Sequence, residues 1–242
     1  MDLILKYWQG YPAHIQYMMS AKIRYEFSLL RVERGSTICD VGGGWGAFSC
    51  FAASMGMNAI LVDDFADPGF STTDPRARMP TEYRVRVIQR DVLKEGLPFP
   101  ENSIDAFTSF DMLEHLHGSP KELLHQMMRC LKQGGMLIIG VPNCVNLRKR
   151  ITVPLGRGKW SAMDEWYEKP IFRSHVREPD VEDLRYIARD LHLQNVEIRG
   201  TNFAGYEYSN PLLRMTARLS DRLLRLRPSL CADLYLIGQK PH

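Results

Sequence analysis

Residues 36–46 read Ser36-Thr37-Ile38-Cys39-Asp40-Val41-Gly42-Gly43-Gly44-Trp45-Gly46, and Ala47 to Met55 continue as a compact helical segment stopped at Gly56. An apolar run that ends in glycines and restarts as a helix predicts a strand, a turn and a helix. Glycines suit such a turn because they permit positive φ and let a ligand approach the backbone where a Cβ would collide. Working outward, Asn58 to Asp63 predicts a second strand, Tyr83 to Ile88 alternates like a third, and Ser103 to Phe110 predicts a fourth. Pro120 to Leu131 follows as a helix, and Met136 to Val141 as a fifth strand after a Gly134-Gly135 stop. Strands alternating with helices imply a parallel sheet covered on both faces, an α/β fold.

The alternation lapses after Pro142-Asn143, and residues 144–179 show no clear period, which predicts an insertion over the carboxyl edge of the sheet. A helix then opens at Pro179 or Asp180 and runs to about Leu191, two closing strands follow at 195–199 and 233–238, and Pro211 to Leu226 predicts an amphipathic helix between them. Residues 1–34 carry Tyr7, Trp8, Ile15, Met18, Met19, Ile23, Phe27 and Leu30 at helical spacing, the pattern of an N-terminal helical lid. The expected organisation is one domain over 1–242, with a cofactor-binding core at 35–143 and C-terminal helices and closing strands at 180–242.

Composition narrows the class. A 45% hydrophobic and 24% charged content is that of a soluble globular chain, and no apolar stretch approaches the length of a membrane-spanning helix. The opening Met1-Asp2-Leu3-Ile4-Leu5-Lys6 lacks the basic and long apolar regions of a secretory signal. Cys39, Cys50, Cys130, Cys144 and Cys231 are scattered and never spaced C-x-x-C, which favours reduced thiols over a disulfide framework or zinc site. A cytoplasmic location is therefore expected. The net charge of +3 is too small to imply nucleic acid by itself.

The glycine loop alone is ambiguous, because Gly42, Gly44 and Ala47 also satisfy a loose dinucleotide fingerprint. The acid in front of it tips the balance: in Asp40-x-Gly42-x-Gly44-x-Gly46 the Asp40 carboxylate suits a cofactor's ammonium group and would repel a pyrophosphate. That pattern resembles the first motif of the class I S-adenosylmethionine-dependent methyltransferases. Asp63 at the end of the second strand, Asp91-Val92 after the third, the run Ser109-Phe110-Asp111-Met112-Leu113-Glu114-His115-Leu116 and the block Leu131-Lys132-Gln133-Gly134-Gly135 resemble later motifs of the small-molecule (type 11 and type 23-like) branch, which includes quinone-biosynthesis enzymes. The resemblance implies a Rossmann-like fold with a seven-stranded, mostly parallel sheet and an antiparallel last strand. It implies S-adenosyl-L-methionine as cofactor, with Asp40, Gly42, Gly44 and Gly46 around its amino-acid part, Asp63 on the ribose hydroxyls, and Asp91 with the Val92 amide at the adenine. Asp111, at the carboxyl end of its strand, is placed to touch cofactor or acceptor.

Phe172-Arg173-Ser174-His175-Val176-Arg177-Glu178 resembles a His-Val-Arg-Glu signature of a sub-branch associated with glycan biosynthesis, although Pro179-Asp180 replaces the usual Tyr-Thr after it. His175 is the candidate general base, set against a structural hydrogen bond before the next helix. Glu114 with His115 invites a metal reading, but adjacent helix residues diverge, so a structural role is expected and no metal site is assigned. Arg148, Lys149, Arg150, Arg157 and Lys159 suit an acceptor phosphate or a solvated loop. Trp160, Trp166 and Tyr167 suit stacking on a sugar or a local core. The 211–227 helix, with Arg214, Arg218 and Arg222, suits peripheral membrane contact or packing on the sheet. The expected activity is O-methylation of a saccharide or glycan precursor. The alternatives are methylation of a lipophilic small molecule such as a quinone precursor, and a cofactor-binding regulatory protein without turnover.

Overall fold

The computed structural model describes residues 31–67, 69–158, 161–202 and 210–242. The N-terminal lid expected over 1–34 therefore lies, apart from residues 31–34, outside the described residues, as do Lys159 and Trp160. Seven strands, β1 (Thr37–Val41), β2 (Asn58–Asp63), β3 (Arg86–Gln89), β4 (Ile104–Phe110), β5 (Leu131–Pro142), β6 (Gln194–Thr201) and β7 (Asp233–Gln239), form one sheet in the order β3-β2-β1-β4-β5-β7-β6. The pairs among β1 to β5 are parallel, and β7 runs antiparallel to both β5 and β6. This is the Rossmann-like class I methyltransferase arrangement that the resemblance implied.

Period-two sequence builds the two faces. Along β5, Met136 and Ile138 enter one buried cluster, while Leu137, Ile139 and Val141 enter the other. β7 divides likewise, with Tyr235 and Ile237 on the first side and Leu234 and Leu236 on the second. Helix Ala47–Ser54 seals the first face through Phe48 and Phe51, and helices Lys121–Cys130 and Val181–Asp190 seal the second through Leu123, Leu124, Met127 and Leu184. Each such aliphatic or aromatic side chain stabilises the fold by about 1.5–3 kcal/mol relative to leaving it exposed.

The structure corrects several boundaries. The third strand starts at Arg86 rather than Tyr83, because Met79–Glu82 is helical and Arg84 takes a positive φ of 57° that ends the turn. The fifth strand does not begin after Gly134-Gly135 but runs through them from Leu131, since Gly134 and Gly135 pair with the tail after β7 through Lys240. The insertion contains two short helices, Leu147–Thr152 and Met163–Tyr167, and the last helix ends at Leu224. Asp180 caps Val181–Asp190 through a reciprocal capping box with Asp183, so the start read from sequence holds.

The chain leaves β1 first toward β2 and β3, then crosses to β4 and β5 on the other side. That reversal opens a crevice beyond the carboxyl ends of β1 and β4, the usual ligand position in such sheets.

Candidate active site

A cavity of about 890 Å³ fills this crevice, within the size range of small-molecule sites. Its floor is the glycine turn. Gly44 sits at φ +53° with nothing within 4 Å of where a Cβ would be, so the backbone itself faces the open space. Gly43 is required for a different reason: a Cβ there would lie 2.4 Å from Asp40 Oδ2 and 2.6 Å from Leu61 Cδ1. The Asp40 carboxylate, 2% exposed, is held under this turn by Thr108, which donates at 2.8 Å, and Ser49, which donates at 3.1 Å. It borders the cavity and supports the loop from below at once.

Asp63 ties the turn to β2. Its Oδ2 accepts the Gly44 amide at 2.8 Å and its Oδ1 accepts the Phe65 amide at 2.7 Å. Burial raises its pKa, and the two amide hydrogen bonds oppose the rise. Each carboxylate oxygen retains capacity for a further donor, as a ribose diol requires. Asp91 caps the short helix Val92–Glu95, accepting from the Leu93 and Lys94 amides, and the Lys94 ammonium at 2.7 Å holds its carboxyl below the ordinary value. Asp40, Gly42, Gly44, Asp63, Asp91, Val92 and Asp111 all line the one cavity, whereas Gly46 starts the following helix behind it at φ +72°. Asp111 has a φ of +51°, a conformation that non-glycine residues seldom adopt and that concentrates at functional sites.

One wall was invisible from motifs. Trp45 stacks on Phe70 at 4.6 Å, Phe70 meets Phe65 at 4.6 Å, and the Arg76 guanidinium lies 4.2 Å above the Trp45 ring. Asp74 fixes Arg76 with two side-chain hydrogen bonds of 3.0 and 2.8 Å. Phe65, Phe70, Asp74 and Arg76 come from the loop after β2, and Trp45 comes from the glycine turn after β1.

The opposite wall joins the segment after β4 to the insertion. His115 Nδ1 lies 2.8 Å from the Arg173 carbonyl, so it carries a proton and donates. His117 Nε2 donates to the Phe172 carbonyl at 3.2 Å, and the Val176 amide donates to the Glu114 carbonyl at 2.7 Å. Met112, His115, Leu116, His117, Ile171 and Arg173 face the cavity. His175 does not line it. Its ring packs edge-on against His115 at 4.9 Å, and its Nδ1 donates to Glu178 at 2.7 Å. That hydrogen bond is the main cause raising the His175 pKa above 6.5, against the lowering effect of burial. Burial by itself would raise Glu178, but bonds from His175 and Lys149 outweigh it and hold the carboxyl at about 2. Glu114 is wholly buried, and its Oε1 lies 3.9 Å from His115 Nε2 and 4.0 Å from His175 Nε2. The divergence of Glu114 and His115 expected for a helical pair is thus corrected: on the 3-10 turn Leu113–His115 both carry a ligating atom toward His175.

Lys149, Arg150, Trp166 and Tyr167 lie away from the cavity. Lys149 pairs with Glu178, and Arg150 donates to the Val145 and Ser229 carbonyls. Trp166 and Tyr167 stand 62% and 74% exposed. Helix Pro211–Leu224 presents Leu212, Met215, Leu219 and Leu223 to solvent rather than to the sheet. Among the described residues no helix is long and apolar enough to cross a membrane. The five cysteines are free thiols, with Cys39, Cys50, Cys130 and Cys231 buried.

Comparison with known proteins agrees with this geometry. A family model described as a methyltransferase domain matches residues 39–139. A ubiquinone/menaquinone biosynthesis C-methyltransferase of an Enterobacter species is 26% identical over 190 residues, covering 72% of each chain. A probable S-adenosylmethionine-dependent methyltransferase of Mycobacterium tuberculosis is 27% identical over 66% of this chain, which spans only 48% of that relative. Among solved structures, a SAM-dependent methyltransferase from Archaeoglobus fulgidus superposes with a TM-score of 0.57 at 18% identity, covering 92% of this chain and 94% of the other. Phosphoethanolamine N-methyltransferase 2 of Haemonchus contortus gives 0.61 at 17% identity, over 93% of this chain and 53% of the other. The glycine turn, the acids at the ends of the first three strands and the sheet order thus have one common explanation: the chain carries a methyltransferase domain that uses S-adenosylmethionine, and it is similar to the small-molecule branch of the class I enzymes.

Proposed function

We propose that the protein methylates a small organic acceptor with an apolar ring and one ionisable oxygen, of the quinol-precursor type, at that oxygen or an adjacent ring carbon. The observation that carries this reading is the mixed wall opposite the glycine turn, where Met112, Leu116 and Ile171 offer apolar surface and Arg173 with His115 and His117 offers charge and polarity. An anionic oxygen activates itself or the neighbouring ring carbon, so the protein's task is to align and desolvate. When bound, S-adenosylmethionine supplies an electrophilic methyl group whose carbon–sulfur bond breaks as the acceptor's electron pair attacks, sulfur keeping the bonding pair. Arg173 orients the anionic oxygen, the aromatic wall at Trp45, Phe65 and Phe70 excludes water, and Asp40, Asp63 and Asp91 hold the cofactor's polar groups. His175 is a positioning residue in this scheme, acting through His115.

Two observations favour this acceptor over the saccharide expected from the His-Val-Arg-Glu signature. Trp166 and Tyr167, the described aromatics suited to stacking on a sugar, lie outside the cavity, and the relative similar over 72% of both chains is described by its quinone-pathway C-methylation. The outward apolar row on helix Pro211–Leu224 weighs on the same side, since such a helix suits a lipid surface where lipophilic acceptors reside. The test is incubation with methyl-labelled cofactor and a panel of hydroxylated aromatics, prenylated quinols and saccharides. Label in the aromatic acceptors, reduced in Arg173→Ala at sub-saturating acceptor, supports the reading. Label in saccharides alone overturns it.

A further inference from the structure

We propose that Glu114, His115 and His175 bind a divalent first-row transition-metal ion at the acceptor edge of the cavity. One ligating atom from each residue lies within 4.8 Å of the other two. Both imidazoles are oriented as ligands in the same way: Nδ1 of His115 donates to the Arg173 carbonyl and Nδ1 of His175 to the Glu178 carboxylate, so in the neutral ring Nε2 is the nitrogen that offers the lone pair. An acceptor behind the distal nitrogen is what orients metal-bound histidines and raises their basicity. Both Nε2 atoms look toward the buried Glu114 carboxylate, at 3.9 and 4.0 Å.

Those separations distinguish an ion site from a simple ion pair. A protonated imidazole bonded directly to a carboxylate would close to about 2.7–2.9 Å, and neither pair does. An ion with bonds of about 2.0–2.2 Å to each atom would set the ligand atoms roughly 3.0–3.4 Å apart, so each imidazole closes on the carboxylate by about 1 Å or less from its separation of 3.9 or 4.0 Å. The frame is firm enough to hold this spacing, because the Val176 amide donates to the Glu114 carbonyl at 2.7 Å and pins the loop carrying His175 to the turn carrying His115. Two imidazoles and one carboxylate suit Zn2+, Mn2+ or Fe2+, and disfavour Mg2+ and Ca2+, which take oxygen ligands. Resting on the proposed acceptor reading, the ion's open positions serve the acceptor's anionic oxygen, since His115 lines the cavity.

The probe is Co2+, titrated into the metal-stripped full chain and followed by its visible absorption, with cofactor affinity measured calorimetrically on the same samples. The expected result is one tight site per chain. Co2+ affinity should fall at least tenfold in His175→Asn and Glu114→Gln, and roughly tenfold in Glu178→Gln, which removes only the orienting acceptor. Cofactor affinity within twofold of wild type shows each variant is folded; should Glu114→Gln lose it, His175→Asn and Glu178→Gln decide. Co2+ binding that is absent, or unchanged in those variants, overturns the proposal. If Co2+ binds as stated while the acceptor panel gives no product, the ion site stands and the acceptor reading falls.

Discussion

The two sides of the cavity are built on different principles. The cofactor side is mainly local: Asp40, Gly43, Gly44 and Asp63 lie on β1, β2 and the turn between them, and apart from the Thr108 hydrogen bond to Asp40 their contacts join near neighbours in sequence. The acceptor side is assembled across distance, with His115 and Arg173 joined over 58 residues and His117 and Phe172 over 55. A local frame is constrained by backbone geometry and so leaves a motif. A wall made by docking one loop on another is constrained only by pairs of residues, and its chemistry is free to differ while the frame is kept.

The sharpest way to break this contrast is at Gly43, where a methyl group would collide with Asp40 and Leu61. Both neighbours are buried and Asp40 is hydrogen-bonded in place, so the turn must shift. Gly43→Ala should cost about 2 kcal/mol of stability and about 100-fold in cofactor affinity, read by thermal unfolding and titration calorimetry. Next comes Asp63→Ala, which frees the Gly44 and Phe65 amides and removes the carboxylate proposed to accept the ribose hydroxyls. Cofactor binding should weaken by about 30-fold. If either variant lowers turnover while leaving cofactor affinity intact, the division between the two sides is wrongly drawn.

Much of the frame was legible in the sequence because it rests on periodicity and on glycine. β2 matches its expected span, and Asp180, one of the two starts read from sequence, caps its helix. Tyr83 and Arg84 misled because alternation cannot show that Arg84 takes a positive φ and closes a turn. Gly134 and Gly135 misled because a strand can run through glycines when its partner comes from the far end of the chain, here Lys240. The aromatic wall at Trp45, Phe65 and Phe70 and the meeting of Glu114, His115 and His175 have no sequence period at all. They arise from loops whose spacing carries no information until the sheet brings them together.

Smaller effects sharpen the contrast on the other wall. Arg173→Ala should raise the KM for an anionic aromatic acceptor roughly tenfold with little change in cofactor affinity, checked by steady-state kinetics at saturating cofactor. Asp91→Asn should weaken cofactor binding only about threefold, since the Val92 amide proposed to share the adenine contact remains and a lost hydrogen bond is worth about 1 kcal/mol. It also has a pH signature. The Asp91 carboxyl is held below its ordinary 3.8, so its stabilising contribution is present above that value and lost as pH falls through the lower folded-state pKa. The variant's unfolding midpoint should therefore depend less on pH below about 4 than that of the wild type.

The central claim, that cofactor and acceptor are held by separable halves of one cavity, is tested most directly by calorimetric titration of S-adenosylmethionine into Asp63→Ala and Arg173→Ala side by side. The predicted result is a loss of at least about tenfold in Asp63→Ala and affinity within twofold of wild type in Arg173→Ala. Equal losses in the two variants would contradict it.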